Sequence, residues 1–201
     1  MKKLPLSFYD RDDVIEIARE LLGKIIVTNF DGKTTSARIV ETEAYIGITD
    51  KASHSYGHRR TARNEHMYSA PGTSYVYICY GMHRMFNIVT NKKDIPDAVL
   101  IRAVEPVNGI DIMAKRTDKN ITDKTLTRGP GNVGNALGID KHHSGLFLLD
   151  EQIFLLDDGK IIATEKIGIS KRIGVESAGA DGLLPFRFYI KGNQYVSGKR
   201  S

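Results

Sequence analysis

Between Arg38 and Asn87 the chain places two carboxylates, several aromatic rings and a basic loop within fifty residues. Residues 38–45 read RIVETEAY. In an extended strand alternate side chains share a face, so Glu41, Glu43 and Tyr45 point one way and Val40, Thr42 and Ala44 the other. Two carboxylates about 6–7 Å apart along a strand fit a solvated face. They also fit a reaction site, because charge is not buried without a purpose. The segment starts apolar and runs into an aromatic and a basic loop, which favours the second reading; a partly desolvated Glu serves as a general base. Arg102, inside the apolar run 98–104, needs an anionic partner. Glu41, Glu43 or Glu105 would satisfy it as a plain ion pair, or it orients a catalytic carboxylate and its water.

Tyr75 and Tyr77 share a strand face, with Ile78 and Tyr80 on the other. Tyrosines in strands are mostly packing, but Tyr80 directly precedes Gly81 at the expected tip of a hairpin, where a ring can wedge between stacked bases. His54, His58 and His66 with Glu43 invite a metal reading. Gly57 and the loop-like context argue against it, as does the lack of an H-E-x-x-H motif or a Cys pair, so no metal is expected. Arg59, Arg60 and Arg63 face only Glu65 in that loop, which suits a solvated surface or phosphate contacts. Together these residues suit a site that holds a flat ring, activates water and grips a polyanion. Residues 129–134 match G-x-G-x-x-G, yet no buried strand precedes them and no βαβ unit surrounds them, so dinucleotide binding is rejected. A helix N-terminus beside Arg128 could still hold a phosphate.

The elements that must position these groups are short. Asp10 caps a helix over 11–22, with Val14, Ile15, Ala18, Leu21 and Leu22 on its apolar face and Gly23 ending it. A strand over 24–30 turns at Asp31-Gly32 into a second strand reaching Tyr45. Residues 46–71 form a long polar loop, a length that usually serves function. Strands over 73–80 and 85–90 surround a turn at Gly81, and another follows over 98–104. Helices are expected over 110–116 and 132–137, the latter ended by Gly138, and short strands over 153–156, 160–163, 186–190 and 195–197. Turns rather than long helices join neighbouring strands. The fold class is therefore α+β, with a mostly antiparallel sheet, and residues 1–201 form one domain.

The 201 residues carry a net charge of +5, which fits a nucleic-acid partner without requiring one. Cys79 is the only cysteine, so an intramolecular disulfide is impossible and a reducing compartment is expected. Asp10, Arg11, Asp12 and Asp13 break the apolar run after Lys2 and Lys3, which argues against a signal peptide. No run is long enough to span a membrane. The expected location is the cytosol.

Three segments carry a resemblance: 38–45 (RIVETEAY), 71–82 (PGTSYVYICYGM) and 100–106 (LIRAVEP). The chain resembles the animal-type alkyladenine (3-methyladenine) DNA glycosylase family, from Phe8-Tyr9-Asp10 through Gly129-Pro130 to Gly192. The resemblance implies a single mixed α/β domain with a curved antiparallel sheet flanked by short helices, no metal and no cofactor. It implies that Glu43 activates water for attack on the sugar C1′, with Arg102 and His54 positioning that water and the pocket. Tyr45 stacks on one face of a flipped base, while His54 and Tyr77 cover the other. Tyr80 fills the gap left in the duplex, and Asn87 disfavours the amine of guanine. The implied partner is double-stranded DNA with a damaged purine, bound by the chain as a monomer in the bacterial cytosol or nucleoid. Arg59, Arg60, Arg63 and part of the tail from Lys191 to Arg200 contact phosphates. No lysine stands in the motif strands, so simple hydrolysis without a lyase step is expected. Two departures from the family pattern are the lack of a long N-terminal extension and the basic turn His83-Arg84-Met85-Phe86. A metal-dependent nuclease and a non-catalytic nucleic-acid-binding module are the competing readings.

Overall fold

Asp13 accepts a hydrogen bond from the Glu16 amide at 2.9 Å and caps a helix (α2, Val14–Glu20) that buries Val14, Ile17 and Ala18. The expected cap, Asp10, instead ends a separate turn of helix (α1, Leu6–Tyr9). The computed structural model of the chain describes residues 1–198, and the expected contribution of Arg200 lies outside them.

Every strand pairing among the described residues is antiparallel, in one nine-stranded, unclosed sheet. The strands are β1 (Lys2–Lys3), β2 (Ile25–Phe30), β3 (Lys33–Tyr45), β4 (Ser74–Cys79), β5 (His83–Thr90), β6 (Asp97–Asn108), β7 (Ile153–Asp157), β8 (Ile167–Ser170) and β9 (Arg187–Ile190). Their order is β1-β7-β2-β3-β6-β5-β4, with β9 pairing both β3 and β8. This is the expected α+β class. Asp31 and Gly32, both left-handed, make the tight turn from β2 to β3. Tyr80 and Gly81 do the same between β4 and β5, so β5 begins at His83, two residues before the expected start.

The main core packs Ile26, Ile39, Val99 and Ile101 of the sheet against α2 and α4 (Pro130–Leu137); α3 (Ile110–Thr117) adds the buried Met113. The glycines of the G-x-G-x-x-G run serve this packing. A Cβ at Gly131 would lie 2.5 Å from the His83 ring, and one at Gly134 would lie 2.4 Å from the Arg84 carbonyl oxygen. The run brings a helix onto β5; it does not cradle a dinucleotide.

Two expected strands do not form. Residues 160–163 follow the Gly159 turn with Ile161 left 90% exposed, and β8 takes the place beside β9. Over 195–197 the backbone N–H of Ser197 goes to a side chain, Glu41, rather than to a neighbouring strand.

Candidate active site

The second half of β3 is built differently from the first. Along one edge β3 pairs with β2 up to Arg38 and then with β9 from Glu41 to Glu43; β6 runs along the other edge. The β3–β6 register skips Val40 on one strand and Arg102 on the other. Bulges of this kind re-aim side chains. Val40 leaves the face expected from alternation and packs with Ala103, Tyr189, Tyr195 and Val196 in a second cluster. Arg102 meets two carboxylates. Its Nε donates to Glu41 Oε1 and its Nη1 to Glu43 Oε2, each at 3.3 Å. Glu105, the third expected partner, instead accepts from Asn193.

Glu43 has no exposed surface. Its Oε1 accepts the Ile173 backbone N–H at 2.8 Å, and its Oε2 also accepts the Tyr45 phenol at 2.9 Å. Burial raises its carboxyl above the usual carboxylate range. Arg102, the Ile173 N–H and the Tyr45 phenol pull it back, Glu41 adds to the rise, and the net direction is up. Burial works against the charge of Arg102, yet Glu43 and Glu41 hold its pKa high on balance.

Tyr45, bonded to this carboxylate, also walls an aromatic slot of about 20 Å³, lined with it by His54, Met67, Tyr75, Tyr77 and Asn87. It has room for about one water. His54 stands edge-on to Tyr77 at 4.5 Å between ring centroids, and its Nδ1 shares a hydrogen bond with the Tyr75 hydroxyl at 2.8 Å. Burial, helped by Arg63 and Arg59, pushes His54 down to about 4, so the ring is neutral at pH 7. Asn87 is buried, and its amide nitrogen donates to the carbonyls of Tyr75 and Met85, both at 3.2 Å. The side chain is thereby locked.

Two wider hollows adjoin the slot and share Tyr45 and Tyr77. One, about 370 Å³, is lined among others by Arg102, Tyr80, Arg128 and Ile173; the other, about 490 Å³, by His54, Arg59 and Arg63. Tyr80 is 89% exposed on its hairpin tip. Arg60 stands apart from its neighbours, since its guanidinium is held by Glu65 at 2.6 Å and Asp94 at 2.9 Å. The histidines diverge: His66 bonds Ser144, and among the described residues no three His, Cys, Asp or Glu side chains converge as metal ligands.

Several residues of the site escaped the sequence reading. Arg172 lies 4.6 Å behind the Tyr45 ring, paired to buried Asp50 and donating to the carbonyls of Ala44 and Asp181. Buried Asn64 organises the basic loop by donating to His54 O and Arg59 O. Neither has a periodic signal. Arg187 does, because it stands among apolar residues as Arg102 does, and it reaches Glu41 at 2.6 Å.

Residues 7–194 match the family model described as methylpurine-DNA glycosylase. The chain belongs to the methylpurine-DNA glycosylase family. Similar curated proteins span almost its whole length. One from Desulfitobacterium hafniense (strain Y51) is 46% identical over 99% of this chain and 100% of its own. One from Clostridium perfringens (strain 13 / Type A) is 45% identical over 98% and 100%, and one from Chlamydia felis (strain Fe/C-56) 47% identical over 93% and 95%. Each of the three carries the name "Putative 3-methyladenine DNA glycosylase". A methylpurine-DNA glycosylase is a hydrolase of DNA repair. No described helix is long and apolar enough to cross a membrane.

Proposed function

We propose that the chain removes alkylated or deaminated purines, of the class of 3-methyladenine, 7-methylguanine, hypoxanthine and ethenoadenine, from duplex DNA by hydrolysis of the N-glycosidic bond. The observation that carries this reading is Glu43, buried, ion-paired to Arg102 and hydrogen-bonded to Tyr45, the ring that walls an aromatic slot with His54 and Tyr77. The target bond is inaccessible in a stacked helix, so the nucleotide is flipped out, and a damaged base is cheaper to flip. Tyr45 stacks on one face and His54 with Tyr77 covers the other. A cationic alkylated base gains ~1–2 kcal/mol from such rings when desolvated. Glu43 deprotonates the water that attacks C1′ and stabilises the oxocarbenium-like charge that develops there. Arg102 positions the carboxylate and its water.

Tyr80, exposed and projecting from the β4–β5 turn, fills the vacated stack. Arg59 and Arg63 border the hollow next to the slot and contact phosphates, with a smaller share for Arg60 because it is already ion-paired. The names of the relatives favour 3-methyladenine among the substrates. The chain acts as a single domain and a monomer, in the bacterial compartment that holds the DNA, and leaves an abasic site without cleaving the strand.

The deciding experiment is Glu43→Gln assayed on duplexes with single lesions, scored for free base and alkali-labile sites. Loss of a general base lowers single-turnover excision about 10²–10⁴-fold while lesion binding survives. Near-normal excision by the variant sinks the assignment.

A further inference from the structure

Glu41 has no exposed surface. Its Oε1 accepts from Arg187 Nε at 2.6 Å, Ser197 Oγ at 2.9 Å and Arg102 Nε at 3.3 Å; its Oε2 accepts the Ser197 backbone N–H at 2.7 Å. Four hydrogen bonds, from Arg187, Arg102 and Ser197, thus hold the Glu41 carboxylate in place. The distances are also unequal. Arg187 lies 2.6 Å from Glu41, whereas Arg102 stands 3.3 Å from both Glu41 and Glu43. A charge-assisted N–H···O contact normally closes to about 2.7–2.9 Å. Two arginines and two glutamates thus balance in charge, but Arg102 is shared rather than spent.

The geometry points to a positioning role for Glu41. By holding one edge of Arg102, it keeps the guanidinium from closing onto Glu43 in a full ion pair, and so keeps Glu43 a stronger base. This rests on the reading of Glu43 as general base. An opposite charge brought fully onto a carboxylate lowers its basicity by about 1–3 pH units, and a weaker base removes a proton from water more slowly. The groups facing the two carboxylates are few. Tyr45 lies on β3 itself, Arg102 on β6, Arg187 on β9 and Tyr77 on β4. Arg172, paired to Asp50, lies on the segment after β8, and the Ser197 hydroxyl on the segment after β9. Of these, Arg102 alone bridges both.

The test uses Glu41→Gln and Arg187→Gln in the full chain, with single-turnover release of hypoxanthine from a duplex containing one such base. Rate is followed across pH, beside lesion-DNA affinity and Tm. Glu41→Gln removes a charge that raises the Glu43 carboxyl and frees Arg102 to swing onto Glu43. The acid limb of the rate profile then moves to lower pH by about one unit, and the plateau falls about tenfold or more, with affinity retained. Arg187→Gln strips Glu41 of its nearest cation, so Glu41 draws Arg102 away and the limb moves to higher pH. A merely structural role lowers Tm and the active fraction in both variants without moving the limb; that result, or a shift of the same sign in both, overturns the proposal. If Glu41→Gln does not fold, Arg187→Gln decides alone, since an unmoved or lowered limb overturns it too. Full activity in Glu43→Gln defeats the general-base reading and this inference with it; an inactive Glu43→Gln with unmoved limbs defeats this inference only.

Discussion

The phenol of Tyr45 donates a hydrogen bond to Oε2 of Glu43 at 2.9 Å. The ring expected to stack on the base therefore also seals the carboxylate expected to activate water. The adjoining slot holds only about 20 Å³, so a purine cannot occupy it without moving Tyr45 or the rings opposite. One side chain thus belongs both to the slot wall and to the carboxylate's hydrogen bonds.

Tyr45→Phe keeps the stacking ring and removes the donor. The phenol holds the Glu43 carboxyl down, so its loss lets burial raise that carboxyl further. The base works only when ionised, and activity falls as pH drops through its pKa. The acid limb of single-turnover excision should therefore move to higher pH, with a plateau within about tenfold of wild type. Superimposable pH profiles would show that the phenol does not touch the carboxylate once DNA is bound.

His54 makes stability depend on pH. Burial holds its folded value at about 4, against roughly 6.5 when unfolded. Between these values the unfolded chain binds a proton that the folded chain refuses. The stability is fully present above about pH 6.5 and is lost as pH falls toward 4. His54→Gln removes this contribution. The difference in Tm between wild type and variant should vary between pH 6.5 and 4 and level off outside that window; parallel Tm curves count against a neutral, buried His54.

Tyr80 adopts φ 49° at the tip of its turn, a conformation glycine accepts without strain. Tyr80→Gly should leave Tm nearly unchanged, because relief of backbone strain offsets the added freedom of the unfolded chain. Losing a wedge that compensates unstacking should lower excision from duplex DNA about tenfold or more. Single-stranded lesion DNA, which has no stack to fill, should be affected far less. An equal loss on both substrates would remove Tyr80 from the wedge role.

Asn87 is tied by its amide nitrogen to two backbone carbonyls and cannot swing aside. A rigid group at the purine edge rejects the 2-amino group of guanine by clash and desolvation. Asn87→Ala opens that space, and release of undamaged guanine should rise relative to hypoxanthine even if total activity falls. An unchanged ratio in a folded variant would place selectivity in the lability of the glycosidic bond itself.

Much of the site was legible because it lies on strands whose period fixes direction. Glu41, Glu43 and Tyr45 do share a face, and Arg102 does find an acid. Val40 was misplaced because a bulge has no signature in alternation. Asp13 displaced Asp10 as a cap because a four-residue helix interrupts the pattern before it. Arg172 and Asp50 come together across 122 residues of sequence from two irregular segments, so no local rule connects them. Residues 195–197 read as a strand because Tyr195 and Val196 are residue types that favour strands, yet the amides of Tyr195 and Ser197 go to the Asn193 and Glu41 side chains and that of Val196 to the Asn193 carbonyl.

The hydrogen bonds from Ser197 to Glu41 span 156 positions of the chain, and that from Ile173 to Glu43 spans 130. Closing such long loops is slow compared with forming the local β4–β5 hairpin. During synthesis β3 exists long before the arginine and the serine that neutralise and cradle its carboxylates. For most of that time two acidic side chains stand in a strand with no compensating charge but Arg102. The polar contacts of β3 therefore close only once residues far along the chain are made: Glu43 waits for Ile173, and Glu41 for Arg187 and Ser197.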